Sequence, residues 1–128
     1  LSRHQRRVAG SLGVFPSPAK LPGLMSEFGE WLGGAAATAR DAIEAHWRLV
    51  ALHPFSDGNG RTARLLMNLI LFRGGYAPIV IGPEQRAAYL DVLEERQSGA
   101  VALYEAFMAE PLLASLDDHI RALEESAE

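Results

Sequence analysis

Two helical faces in this chain are separated by a run that neither helix can absorb: His53-Pro54-Phe55-Ser56-Asp57-Gly58-Asn59-Gly60-Arg61-Thr62-Ala63-Arg64. Pro54 disfavours helical backbone at the residue before it, so a helix carrying Ala36, Ala39, Ile43, Trp47 and Val50 on one face should stop there. The stretch Leu65-Leu66-Met67-Asn68-Leu69-Ile70-Leu71-Phe72 follows at once and reads as a buried helix ending at the C-cap pair Gly74-Gly75. The run is therefore expected to be an inter-helix loop in a helical protein.

Its composition suits phosphate chemistry. Gly58 and Gly60 bracket Asn59, and residues without a Cβ can take the positive-φ conformations that aim successive backbone N–H groups at one anion. The helix behind the loop would add the positive end of its dipole. Arg61 and Arg64 stand three apart, so on the first turns of that helix they share a face and can fork onto neighbouring phosphate oxygens. Asp57 is placed to hold a divalent cation on the same phosphates. His53, with an ordinary pKa of about 6.5, can take a proton from an attacking hydroxyl near neutrality.

Two look-alike motifs fail on spacing. A Walker A loop would need a glycine where Phe55 stands and a lysine where Arg61 stands. An EF-hand with its sixth-position glycine at Gly60 would put its bidentate acid at Leu66. The run instead resembles the signature of the Fic family, His-x-Phe-x-(Asp/Glu)-Gly-Asn-Gly-Arg-x-x-Arg, with every defined position filled. Flanking segments extend the resemblance, from Gly13 to Met25 upstream and through Arg73-Gly74-Gly75-Tyr76-Ala77-Pro78 and Arg86-Ala87-Ala88-Tyr89 downstream.

The resemblance implies a compact all-α bundle with a short β-hairpin flap, residues 1–22 carrying the flap and residues 24–128 the helical core. It also implies a protein adenylyltransferase that moves AMP from ATP, with Mg2+ or Mn2+, to a Ser, Thr or Tyr hydroxyl of a target protein. His53 would be the base, and Gly58, Asn59 and Gly60 would lie under the α-phosphate. Asp57 would hold the metal, and Arg61 and Arg64 the outer phosphates. Val8, Val14 and Phe15 would belong to a flap that docks the target, and Tyr89 is a candidate for stacking on adenine. The alternatives are a transferase with another phosphate-containing donor and an inactive nucleotide-binding module of a toxin–antitoxin pair. Lys in place of Gly60 would mark the phosphorylating relatives. Many Fic proteins are silenced by a Ser/Thr-x-x-x-Glu-Gly/Asn helix. The nearest approach here, Ser26-Glu27-Phe28-Gly29-Glu30, is followed by Trp31, so an inhibitory helix or antitoxin is expected only in trans or from a missing segment.

Bulk properties narrow the setting. The 128 residues, 48% of them hydrophobic, suffice for one domain with a core. A net charge of −4 argues against nucleic acid or a membrane surface as the main partner, although 11 of the 12 basic residues are arginine. The chain lacks cysteine, and no apolar run approaches the roughly 18 residues of a bilayer span. The cytoplasm is the default location, with secretion as an effector the alternative, and a start at Leu1 suits a fragment.

Elsewhere, a short hairpin is expected to turn at Gly10-Ser11-Leu12-Gly13, and a helix bearing Met25, Phe28, Trp31 and Leu32 to end at Gly33-Gly34. Pro78-Ile79-Val80-Ile81 should be extended, and Pro83 should open a helix to about Ser98. Val101, Tyr104, Phe107 and Met108 mark another helix, and Leu112, Leu116, Ile120 and Leu123 a last one. Phe55 reads as a core anchor for the motif loop, and Asn68 as an amide that ties that loop down from behind. Arg73 and Arg86 read as surface residues, and His4 and His119 as solvated. His46, two helical turns before His53, would stand about 10 Å from it along the helix, too far to share a metal, which favours a packing role.

Overall fold

The structure, a computed structural model, describes residues 7–8 and 13–127. Five α-helices make up the architecture among the described residues. α1 (Leu21–Gly34) starts three residues earlier than the apolar pattern alone indicates, with Pro22 in its first turn, and buries Leu21 and Phe28. α2 (Ala39–Leu52) begins at a Thr38 cap whose side chain accepts from the Asp41 N–H at 3.2 Å, while the Asp41 carboxylate accepts from the Ala36 N–H at 2.9 Å. That exchange places Ala36 outside the helix. The buried face of α2 carries Ala42, Ile43, Ala45, His46, Leu49 and Val50.

α3 (Asn59–Arg73) packs along α2 and closes at Gly74 and Gly75, with Gly75 left-handed at φ 82° and the Tyr76 N–H returning to the Leu71 carbonyl at 2.9 Å. α3 is not buried all round as its composition suggested. Ala63, Met67 and Leu71 are sealed in the core, whereas Leu65, Leu69 and Phe72 are 62%, 53% and 79% exposed. A 3-10 turn, Pro83–Gln85, leads into α4 (Arg86–Gln97), whose Tyr89 and Leu93 face inward.

The two last helices expected from the sequence are one, α5 (Val101–Ser126), running through Pro111. The proline ring removes one helical hydrogen bond but sits where the helix leaves the core. Tyr104 and Met108 before it are fully buried, while Leu113, Leu116, Ile120 and Leu123 after it are exposed. The joint core draws on all five helices plus Phe15 and Ile79. Truncating a fully enclosed member such as Met67 to alanine would cost about 2–5 kcal/mol.

Among the described residues the β content is a two-residue antiparallel ladder, β1 (Arg7–Val8) with β2 (Gly13–Val14), pairing Arg7 with Val14 and Val8 with Gly13. The rest of the expected hairpin flap, with Gly10, Ser11 and Leu12 of its turn, lies outside the described residues, as does His4. No helix among the described residues is long and apolar enough to cross a membrane.

Candidate functional site

The run expected as one inter-helix loop is a loop only through Gly58, since its second half, from Asn59 to Arg64, forms the first turns of α3. This shorter motif loop joins α2 to α3 at one end of the bundle, and residues at both helix termini line a cleft of about 310 Å³. His53, Asp57, Gly58, Asn59, Gly60, Arg61, Arg64 and Tyr89 all line it. His53 is the C-cap of α2, with its N–H bonded to the Leu49 carbonyl at 3.0 Å and a left-handed backbone at φ 50°, ψ 57°. That conformation costs a residue with a Cβ about 1–2 kcal/mol, which the surrounding packing must offset. Pro54, fully buried, directs the chain out of the helix, and the Phe15 ring lies flat on the imidazole at 3.9 Å and 12°.

Phe15 is therefore not a docking residue on an exposed edge, because it is 4% exposed and packed on His53. Phe55 is displaced in the opposite sense. It is 42% exposed and not a core anchor, and its backbone is what is held. The Phe55 N–H donates to Asn59 Oδ1 at 2.9 Å and the Asn59 amide donates to the Phe55 carbonyl at 2.7 Å. Asn59, 4% exposed, satisfies both backbone polar groups of Phe55 and so fixes the loop.

Only one of the two bracketing glycines is left-handed. Gly58 caps α3 at φ 77°, whereas Gly60 lies within the first helical turn. The N–H groups left open toward the cleft are consequently the first ones of a 15-residue helix, which have no carbonyl partner within it. Gly60 matters for space: a Cβ there would stand 3.1 Å from Arg64 Nη1. Arg61 is exposed and Arg64 half-buried, and both reach the cleft as their spacing indicated. Among the described residues no ion pair involves Arg64, and Glu30 is exposed on α1.

Behind the cleft, His46 is fully buried and bonded at both ring nitrogens, Nδ1 to the Tyr104 hydroxyl at 2.8 Å and Nε2 to the Tyr89 hydroxyl at 2.7 Å. Burial, assisted by the nearby Arg64 charge, pushes its pKa down to about 3. Tyr89 is 3% exposed, so little of its ring face is open to an adenine. Burial also raises the pKa of Tyr89 above the usual phenol value and that of Tyr104 well above it. Asn68 serves another segment than the one expected. It accepts from the Ile79 N–H at 2.8 Å and donates to the Ile79 carbonyl at 3.1 Å, clamping the extended strip after α3 instead of the motif loop.

Arg86, read from the sequence as a surface residue, is exposed but lines the cleft beside Arg64 and Tyr89. Its place three residues before Tyr89 on α4 was the available signal, since that spacing puts both on one face. For a divalent cation, the cleft offers one carboxylate, Asp57, and among the described residues no group of three or more His, Cys, Asp or Glu gathers around a point. One carboxylate beside a phosphate site fits the way Mg2+ is commonly held, by few protein oxygens plus substrate phosphates and water.

The family model for the Fic/DOC family matches residues 2–71, which takes in the loop, α2 and all but the last two residues of α3. The chain belongs to the Fic/DOC family. Relatives named protein adenylyltransferase Fic include one from Aedes aegypti, 40% identical over 116 residues, and one from Drosophila willistoni, 38% identical over 124. These alignments take in 88% and 94% of this chain but 23% and 24% of the relatives, so the Fic chain here spans about a quarter of their length. In solved structures, the fold is similar to Fic-1 from C. elegans, with a TM-score of 0.76 and 32% identity over 96% of this chain and 38% of that one. It is also similar to a Fic domain-containing signaling protein from Bacteroides thetaiotaomicron, with a TM-score of 0.73 and 30% identity over 98% of this chain and 55% of that one.

Proposed function

We propose that this Fic domain is a protein adenylyltransferase, transferring AMP from ATP to a Ser, Thr or Tyr hydroxyl of a target protein. The observation that carries the reading is the convergence of His53, Asp57, the α3 N-terminus, Arg61 and Arg64 on one cleft. The α-phosphate would sit on the N–H groups of Asn59, Gly60 and Arg61, with Arg61 and Arg64 on the outer phosphates. Asp57 and the nucleotide's own oxygens would hold the Mg2+, which supplies charge neutralisation on the phosphates when bound. His53 would accept the proton of the target hydroxyl as its oxygen forms a bond to the α-phosphorus. The bond between the α-phosphorus and the bridging oxygen then breaks, and pyrophosphate leaves with the electron pair. Such chemistry is mostly positioning and charge stabilisation, which a stacked imidazole and a rigid helix terminus provide.

The edge offered by β1 and β2 would align the target's backbone near His53 by strand addition, with Val8 and Val14 on that edge. Incubating the chain with a lysate and ATP labelled at the α or the γ position tests the reading. Label should pass to protein from α-labelled ATP and leave with pyrophosphate from γ-labelled ATP. Protein labelled from the γ position alone would instead identify a phosphotransferase.

A further inference from the structure

Three neutral polar groups behind the cleft form a chain of hydrogen bonds whose direction can be worked out. The Tyr104 hydroxyl donates to the Ile43 carbonyl at 2.7 Å, and a carbonyl can only accept. The Tyr104 oxygen is thereby left to accept from His46 Nδ1 at 2.8 Å, so Nδ1 carries the ring proton. A neutral imidazole has one N–H, which makes Nε2 a bare acceptor for the Tyr89 hydroxyl at 2.7 Å. With its proton committed to His46, Tyr89 turns its remaining lone-pair density toward Arg64. Arg64 Nη1 donates to that oxygen at 3.4 Å, and its guanidinium carbon lies 5.7 Å from the ring centroid.

The opposite polarity would aim the Tyr89 proton at a guanidinium that can only donate. The Ile43 carbonyl, part of the α2 backbone, therefore dictates through three side chains that Tyr89 attracts Arg64. A Cβ on Gly60 would stand 3.1 Å from the same Nη1, so the glycine leaves that guanidinium its space. We propose that Tyr104, His46 and Tyr89 are positioning residues, a relay of fixed polarity that holds Arg64 where a nucleotide phosphate will meet it. The proposal rests on the nucleotide reading of the cleft.

The tautomer can be read without any nucleotide. Nitrogen NMR of the histidine-labelled chain should show His46 neutral, protonated at Nδ1 and bare at Nε2, from about pH 5 to 8. A proton on Nε2 would overturn the relay. Tyr104→Phe keeps the ring, lies on α5 outside the cleft, and should move the His46 proton to Nε2. It should weaken Mg·ATP binding, measured by calorimetry, about 3–10-fold, and Tyr89→Phe about tenfold, the scale of one hydrogen bond to a charged group. Both should act on KM for ATP with kcat at saturation changed less than about twofold, a split that general loosening of the fold would not give. Unchanged ATP affinity in both variants at retained melting temperature would overturn the role given to Arg64. A wild-type chain that shows the expected tautomer yet binds no ATP would overturn the nucleotide reading and the relay's purpose together, while leaving the hydrogen-bond direction established.

Discussion

The middle of α2 and its C-terminal end each hold an imidazole, His46 and His53, and the helix treats them in opposite ways. At the middle, His46 has no exposure, has both nitrogens bonded to phenols and is kept neutral by burial. At the end, His53 is 9% exposed on a left-handed cap, opens onto the cleft and rests on a flat phenyl ring. The same side chain is a fixed tie in one place and, on the proposed reading, the base in the other. The difference comes from where the helix stops and not from residue type.

That comparison breaks most visibly at the end of α2. His53→Ala should lower transfer on the order of 10²–10⁴-fold while ATP affinity stays close to wild type, because the base acts on the incoming hydroxyl. Turnover equal to wild type in a labelled-ATP assay would remove His53 from the mechanism. The middle of the helix should show itself in acid. His46 has a folded-state pKa of about 3 and an unfolded one of about 6.5, so below pH 6.5 the unfolded chain binds a proton that the folded chain refuses. Stability from this group is intact above pH 6.5 and is lost as pH falls toward 3. By pH 4.5 the loss should be on the order of 2–3 kcal/mol. Urea titrations at both pH values check it, and His46→Gln should remove that share of the acid slope.

Two smaller effects sharpen the contrast. Phe15→Leu keeps an apolar side chain at the site but loses the flat ring contact with His53, whose aromatic part is about 0.5–1.5 kcal/mol. Transfer should fall roughly 2–10-fold with kcat affected before KM for ATP, and an unchanged kcat would show that the stack does not orient the base. Arg86→Gln should weaken ATP binding by about threefold or less, as expected of an exposed charge screened by solvent. A larger loss in calorimetry would promote Arg86 to a direct phosphate contact.

Sequence carried the loop and several helix limits because proline and glycine act locally: Pro54 ends α2, Pro83 marks a helix start, and Gly74 and Gly75 close α3, whereas α1 starts at Leu21, three residues before its apolar pattern indicates. Asp57, Arg61, Arg64 and His53 meet at the cleft for the same reason, being few residues apart on a constrained turn. What stayed hidden depended on distant partners. Nothing local says that Phe15 will lie on His53, that Asn68 will choose Ile79, or that Phe55 will be gripped by its backbone. The break expected between Met108 and Leu112 does not occur, because apolar positions on both sides of Pro111 keep one helical register and α5 continues through it.

Asn59 and Asn68 each meet both polar atoms of one backbone residue, Phe55 and Ile79, with an acceptor and a donor of their own. A carboxamide is in effect a spare peptide group, and α3 carries two of them nine positions apart. Each substitutes for a strand that the fold does not possess. The motif loop and the Ile79 strip are thereby hung from a single rod, and neither can drift without breaking two bonds to it. Melting of this corner of the molecule should accordingly be all-or-none, with helix and both attached segments coming apart as one cooperative unit.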